Sequence, residues 1–500
     1  MRKSLCLILG GIMLSLLVPK SEAQASLGLT DLRVQLKPTD IPPFDKGASV
    51  DSMYATIAPI LGQLVYTTDS YDLVPGLLES LNFDYKRGAY ILRLRDGLVF
   101  HNGRKVTSKD LEFSLLRGFY SKKPSFFISF LNNIEGIESI KNDKTFVSGK
   151  VKGLKLLDER TLEVRLIKPN PSFLHSIARP YFSPVPIEAL QDDYETWKTY
   201  PVGAGSYIVT SFNSEKRLLK LKSIKNGRTI SIHYGNAPFI SDIEVATHTE
   251  NKEIAASKRA ASLTSIYFNY NNAVAAYLRF RQAIHLAVDR DDLSLGVEIY
   301  TPAHEFLAQH LPGRTMTRVN RNLDKAKALL KSIDGLDLSQ TYEIPIFSGQ
   351  IEDAKYGAYA KKLERQLSDV GLKVRLVNST EKLFDKSNKT TLFRLASLGA
   401  DVADPLVLFG LLRGDDSPLN PHFPRKDTQF EQLLDEAQLA ATFDQKILSV
   451  KGLSEYVQKN VWMVPLFEKK LMISINPSRV QNVGRQDGGL TFFLDRVTLK

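Results

Sequence analysis

Serine, cysteine, histidine and carboxylate side chains do chemistry in particular spacings, and this chain of 500 residues holds few of them. It has no G-x-S-x-G elbow to expose a nucleophilic serine, no H-E-x-x-H helix to hold zinc, and no phosphate-binding loop. The run VGAGSY (202–207) contains G-x-G but lacks the third glycine of a dinucleotide site. It also follows Pro201 rather than a predicted strand, so it reads as a turn. The eight histidines, of which His304 and His310 are closest, lack metal-ligand spacing and read as packed or solvated rings. Asp291–Asp292 and Asp415–Asp416 read as helix starts and solvated turns. Arg413–Gly414–Asp415 spells an adhesion tripeptide too short to carry weight. No catalytic residue, metal ligand or cofactor is assigned, and the expectation is a protein that is not an enzyme.

Short elements must position whatever chemistry remains. Leu32, Val34 and Leu36 alternate with Arg33, Gln35 and Lys37, which predicts a strand with one buried face. Leu162, Val164 and Leu166 alternate in the same way behind the turn Asp158–Glu159–Arg160, which predicts a hairpin with 151–157. Thr107 and Asp110 have capping-box spacing ahead of Leu111 and Leu115. Phe280, Ile284 and Ala287 share a helical face. YEIPIF (342–347), a helix carrying Tyr359, Leu363 and Leu367 and ending at Gly371, then LKVRLV (372–377), give strand, helix and strand. That order predicts a right-handed crossover in an α/β sheet. No repeat or flexible linker appears, so ordered crossings are expected between lobes.

Composition narrows the class. Hydrophobic residues make up 43% and charged residues 24%, as in globular proteins, and the length suits two or three lobes. The net charge of +11 is spread along the chain without a basic tract, so no nucleic-acid partner is expected. Arg2 and Lys3, an apolar run from Leu5 to Val18, and Ser21, Ala23 and Ala25 are laid out as a secretory signal peptide. The run is shorter than the ~20 residues of a membrane span. Cleavage is expected after Ala23 or Ala25. Cys6, the only cysteine, lies inside the apolar run rather than at the cleavage site, which argues against a lipoprotein. The exported chain would then hold no cysteine, hence no disulfide or thiolate site.

Several segments together resemble one family, the periplasmic oligopeptide- and dipeptide-binding proteins, extracellular solute-binding family 5 of ABC transporters. In YILRLRDGLVFHNGRKVTSKDLEFSLLRG (90–118), Arg95, Asp96, Gly97, Phe100, His101, Gly103, Thr107 and Asp110 fall in the family's register. LVPGLLESLNF (73–83), LKLLDERTLEVRLIKPNPSFL (154–174), YPVGAGSYIVTSF (200–212), SIYFNYNN (265–272), LRFRQAIHLAVDRDDL (278–293), SLGADVADPLVLF (397–409) and VPLFEKKLMI (464–473) follow in order. Ser206 stands where proline is usual, and Leu398 where the family carries tryptophan. Only about 20 residues separate Val245 from Ser265, so a family segment there is missing or shortened.

The resemblance implies an α/β fold of the periplasmic-binding-protein type II kind, two lobes with a hinge plus an extra domain. After the signal peptide (1–25), one lobe would comprise 26–50, 186–262 and 465–500, the extra domain 51–185, and the other lobe 263–464. It implies an exported periplasmic protein, expected to be monomeric, that captures peptides and delivers them to the permease subunits of an ABC transporter. In the family segment resembled by SLGADVADP, the aspartate four residues before the proline pairs with the ligand's α-amino group. That position is Asp401, with Leu398 and Ala400 beside it. The other reading of Asp401 or Asp404 is a cap on the turn before Pro405. Alternative functions are the same fold holding haem, a nickel complex, an opine or an oligosaccharide, a lost-function or sensory relative, or a secreted hydrolase.

Overall fold

The computed structural model describes residues 31–500 except 37–40, 45–49, 68–71, 122–127, 129–130, 169, 171–172, 246–251, 255–259, 347–353, 380–387, 400–403, 414–418, 425, 441 and 484–493. The expected signal peptide and Cys6 therefore lie outside the described residues.

The strand Asp31–Leu36 alternates as predicted, with Leu32, Val34 and Leu36 fully buried. It lies at the centre of a seven-stranded sheet. Thr229–His233 and Ile243–Val245 flank it in parallel, and Leu218–Ser223, Tyr207–Asn213, Ile473–Ile475 and Glu253–Ile254 extend the sheet outward. Its centre is pinned by Asp242, a fully buried carboxylate held by Arg33 at 2.8 Å and Arg479 at 2.7 Å. Burial alone would raise its pKa, but the two guanidiniums hold it below the usual aspartate value.

A four-stranded antiparallel sheet follows the order Leu78–Asp84, Ala89–Leu94, Thr161–Val164, Leu154–Asp158. The hairpin at 158–160 forms as predicted. Its second strand differs from the one-faced expectation, because all four residues of Thr161–Val164 are buried. It is an inner strand, and the buried Glu163 is matched by Arg87 at 3.0 Å and Arg165 at 3.3 Å. Helix Ser108–Leu116 begins at the predicted cap: Asp110 Oδ2 accepts from the Thr107 backbone N–H at 2.8 Å and its hydroxyl at 2.9 Å.

A six-stranded sheet has the order Tyr300–Pro302, Met463–Lys470, Ala260–Phe268, Phe393–Gly399, Tyr342–Ile346, Val374–Asn378. The last two are parallel and joined through helix Ala358–Ser368, the strand–helix–strand unit read from sequence. Gly371 takes φ +91°, the left-handed conformation expected after that helix. The predicted face of Phe280, Ile284 and Ala287 is buried in helix Leu278–Ala287, which breaks at Val288 before a short helix Arg290–Ser294.

The apolar clusters divide the chain into two bodies. One body holds the seven- and four-stranded sheets, whose clusters are bridged by Phe146 and Tyr194. The other holds the six-stranded sheet, with clusters drawn from residues 260–472. Among the described residues no apolar cluster spans both. The covalent crossings leave side by side, since Ala260 faces Lys470 at the end of an antiparallel pair. The 464/465 boundary implied by the resemblance falls inside Met463–Lys470, which pairs in the six-stranded sheet along its length. Likewise Ala260–Phe268 joins that sheet before residue 263.

Candidate functional site

In open α/β sheets, ligands bind beyond the carboxyl ends of parallel strands. In the first body those ends are Leu36, His233 and Val245; in the second, Ile346, Asn378 and Gly399. Residues 37–40, 246–251, 347–353, 380–387 and 400–403, which follow five of these ends, are outside the described set.

What is described there is polar and hydrogen-bonded. Gln35 Oε1 lies 2.8 Å from His233 Nδ1, and Gln35 Nε2 donates to the carbonyls of Leu36 and Gly235 at 2.8 and 3.1 Å. His233 stacks on Phe239 with centroids 5.0 Å apart. Burial, with the charge of Arg217, pushes its pKa below the usual histidine value, which favours the neutral ring. In the second body Thr264 and Ser397 share a hydrogen bond of 2.7 Å across adjacent strands.

Of the residues singled out from sequence, Asp401 and Ala400 lie outside the described residues. Leu398 is half-buried on Phe393–Gly399, pairs with Leu263, and packs against its own body's apolar cluster. Asp404 caps helix Pro405–Gly410, accepting from the Leu406 N–H at 2.9 Å. It also pairs with Lys446 and sits 3.8 Å from His175 Nδ1 of the first body. Lys168, also in the first body, reaches Asp435 of the second at 3.0 Å. Sequence reasoning missed Lys168, His175, Asp435 and Lys446. No local pattern marks them, because Lys168 and its partner are 267 residues apart.

The VGAGSY turn is a packing device. A β-carbon at Gly205 would lie 2.3 Å from the Pro59 carbonyl, and one at Gly203 2.5 Å from the Ile60 carbonyl. The backbone therefore runs against the end of helix Val50–Leu61, and Gly205 donates to the Ile60 carbonyl at 2.8 Å. Among the described residues no group of three His, Cys, Asp or Glu could hold a metal ion, and no helix is long and apolar enough to cross a membrane.

Residues 72–226 and 223–419 match the bacterial extracellular solute-binding proteins, family 5. The chain belongs to that family. This solute-binding protein is 24% identical over 449 residues to the periplasmic oligopeptide-binding protein OppA of Escherichia coli (strain K12), covering 81% of each chain. It superimposes on Haemophilus influenzae OppA in complex with RPPGFSPFR with a TM-score of 0.75 at 16% identity, covering 94% of this chain and 99% of that one. The unliganded open form of the periplasmic murein tripeptide-binding protein MppA gives a TM-score of 0.67 at 17% identity, covering 94% and 97%. The fold class read from the sequence thereby stands.

Proposed function

We propose that this solute-binding protein captures peptides outside the cytoplasm, between two closing bodies, and hands them to the permease of an ABC transporter. The observation that carries the reading is the joint: two bodies with separate apolar cores are linked where Ala260 faces Lys470. Such a joint lets rigid bodies rotate without disturbing either core. The likeness to OppA along 81% of the chain supports peptide as the ligand class. Main-chain hydrogen bonds supply affinity common to all peptides.

On this reading the chain binds rather than catalyses, acts as a monomer in the periplasm, and loses residues 1–25 on export without gaining a lipid. The seven-stranded sheet forms one lobe, the four-stranded sheet the extra domain packed on it, and the six-stranded sheet the other lobe. Asp401, with Leu398 and Ala400 beside it, receives the ligand's amino end. Native mass spectrometry of protein purified from its own host is the test. Co-purified peptides are expected; a haem, a nickel complex, an opine or a sugar at full occupancy would overturn the peptide reading and keep the fold.

A further inference from the structure

The two bodies meet through charges rather than through a shared core, and those charges have a particular arrangement. Lys168 follows the four-stranded sheet. Its backbone is clamped on both sides by Asn133, which accepts from the Lys168 N–H at 3.1 Å and donates to its carbonyl at 2.7 Å. This fixes the backbone from which the side chain springs, and its Nζ lies 3.0 Å from Asp435 Oδ2, on helix Thr428–Gln438 of the other body. Asp435 also holds Arg413 of its own body at 2.8 Å. The second contact is looser and is an ion pair only when the histidine is protonated. His175, in the short helix Phe173–Ser176, lies 3.8 Å from Asp404, whose carboxylate is buried and already paired with Lys446 of its own body.

We propose that Lys168–Asp435 and His175–Asp404 form a reversible clasp that holds the two bodies closed. Each carboxylate has one cation from its own body and one group from across the cleft. When the bodies part, Arg413 and Lys446 remain, so neither carboxylate is left buried and uncompensated. Leaving a buried charge alone costs several kcal/mol and would lock the closed form. Partly exposed pairs between bodies contribute far less, which suits a joint that must open to release its cargo. Lys168 and Asp435 side chains are 53% and 30% exposed, so this pair is also screened by salt. The clasp acts on the open–closed equilibrium, and ligand affinity then follows the population of the closed form.

The inference rests on the hinge reading but not on peptide as the ligand. Nitroxide labels on cysteines at Tyr85 and Leu295, exposed sites on opposite bodies, report the inter-body distance by pulsed electron resonance. The distances are read without ligand and with a mixture of alanine di- to pentapeptides. Lys168→Ala/His175→Ala should lower the ratio of short- to long-distance populations by about three- to tenfold. Raising the salt from about 0.05 M to 1 M should lower it in the parent protein in the same direction. Lys150→Ala, which removes a cation paired within the first body, should leave it unchanged. A ratio identical in the double variant and the parent overturns the clasp alone. A single distance that no probe, salt or variant moves overturns the hinge as well.

Discussion

Leu471 and Met472 are consecutive in the chain but pack into different cores: Leu471 with the seven-stranded sheet and Met472 with the six-stranded sheet. Both are 4% exposed. The two side chains thus point into opposite cores as the chain passes from Lys470, which faces Ala260, to Ile473–Ile475 of the seven-stranded sheet. A hinge rotation at this crossing would turn a few backbone dihedrals and leave both cores intact.

That division should appear in thermal unfolding. Truncating a buried large apolar side chain costs about 2–5 kcal/mol. Leu471→Ala should lower the transition of the first body only, and Met472→Ala that of the second only. Calorimetry resolves the two, since a protein of two cores need not unfold in one step. A shift of both transitions by either variant would mean that the cores are coupled.

A second prediction concerns Gly205. His101 donates its backbone N–H to the Gly203 carbonyl at 2.9 Å, and its ring Nε2 lies 3.0 Å from the Gly205 carbonyl. Two segments a hundred residues apart in sequence thereby seal the four-stranded sheet's unit onto the seven-stranded sheet. A methyl at Gly205 has nowhere to go, so Gly205→Ala should cost about 1–3 kcal/mol of stability. Gly410→Ala, at the end of Pro405–Gly410 where a methyl meets open space, is the control and should be nearly neutral. Urea denaturation compares them; equal stability of the two variants would remove the packing role of Gly205.

Those contacts explain what could be read in advance. The strands and helices with strong alternation or helical spacing were legible because one face of each is buried, as in Asp31–Leu36 and Ala358–Ser368. Thr161–Val164 was misjudged as one-faced because Glu163 looks like a solvent residue until Arg87 and Arg165 are seen beside it. Nothing in VPLFEKKLMI signals that strand pairing continues across residue 465 to Lys470. The charges between bodies were illegible, because their partners are fixed by how the bodies meet. Asp404 was legible as a cap before Pro405, and it caps that helix.

Glu468 should make stability depend on pH. It lies on Met463–Lys470, 5% exposed, and accepts from the Gln309 N–H at 2.7 Å. Burial pushes its pKa up to about 7 from the usual 4.5; Glu305 adds to the rise, and the Gln309 N–H and Arg314 oppose it. Between those values the folded chain keeps a proton that the unfolded chain has lost. Glu468 therefore makes stability fall as pH rises from 4.5 to about 7, by up to about 1.4 kcal/mol per pH unit, and no further above that. Glu468→Gln can keep the Gln309 hydrogen bond and carries no charge. It should be more stable than the parent at pH 8 and similar to it at pH 4. Urea midpoints at the two pH values decide this; a variant less stable than the parent at pH 8 would show that the ionised carboxylate is favoured in the fold.

The last prediction is about the ligand's amino end. Asp401 follows Phe393–Gly399 in the chain, and three residues later Asp404 is anchored by the Leu406 N–H and Lys446. Asp404 is therefore committed to its helix and to the facing body, which leaves Asp401 as the carboxylate of SLGADVADP proposed for the ligand. Every free peptide carries a cationic amino end, and a fixed carboxylate recognises it whatever the side chains are. Inside a closed cleft the pair would be little screened by water. Asp401→Ala should weaken peptide binding by roughly 2–5 kcal/mol, the usual loss when one partner of a buried charge pair is removed. Its unfolding midpoint should match the parent's. Titration calorimetry with a free tripeptide and its N-acetylated form makes the assignment specific. The parent should prefer the free peptide strongly, and the variant should bind the two nearly alike. Equal binding of both peptides by the parent, or undiminished affinity in the variant, would take the amino-end role away from Asp401.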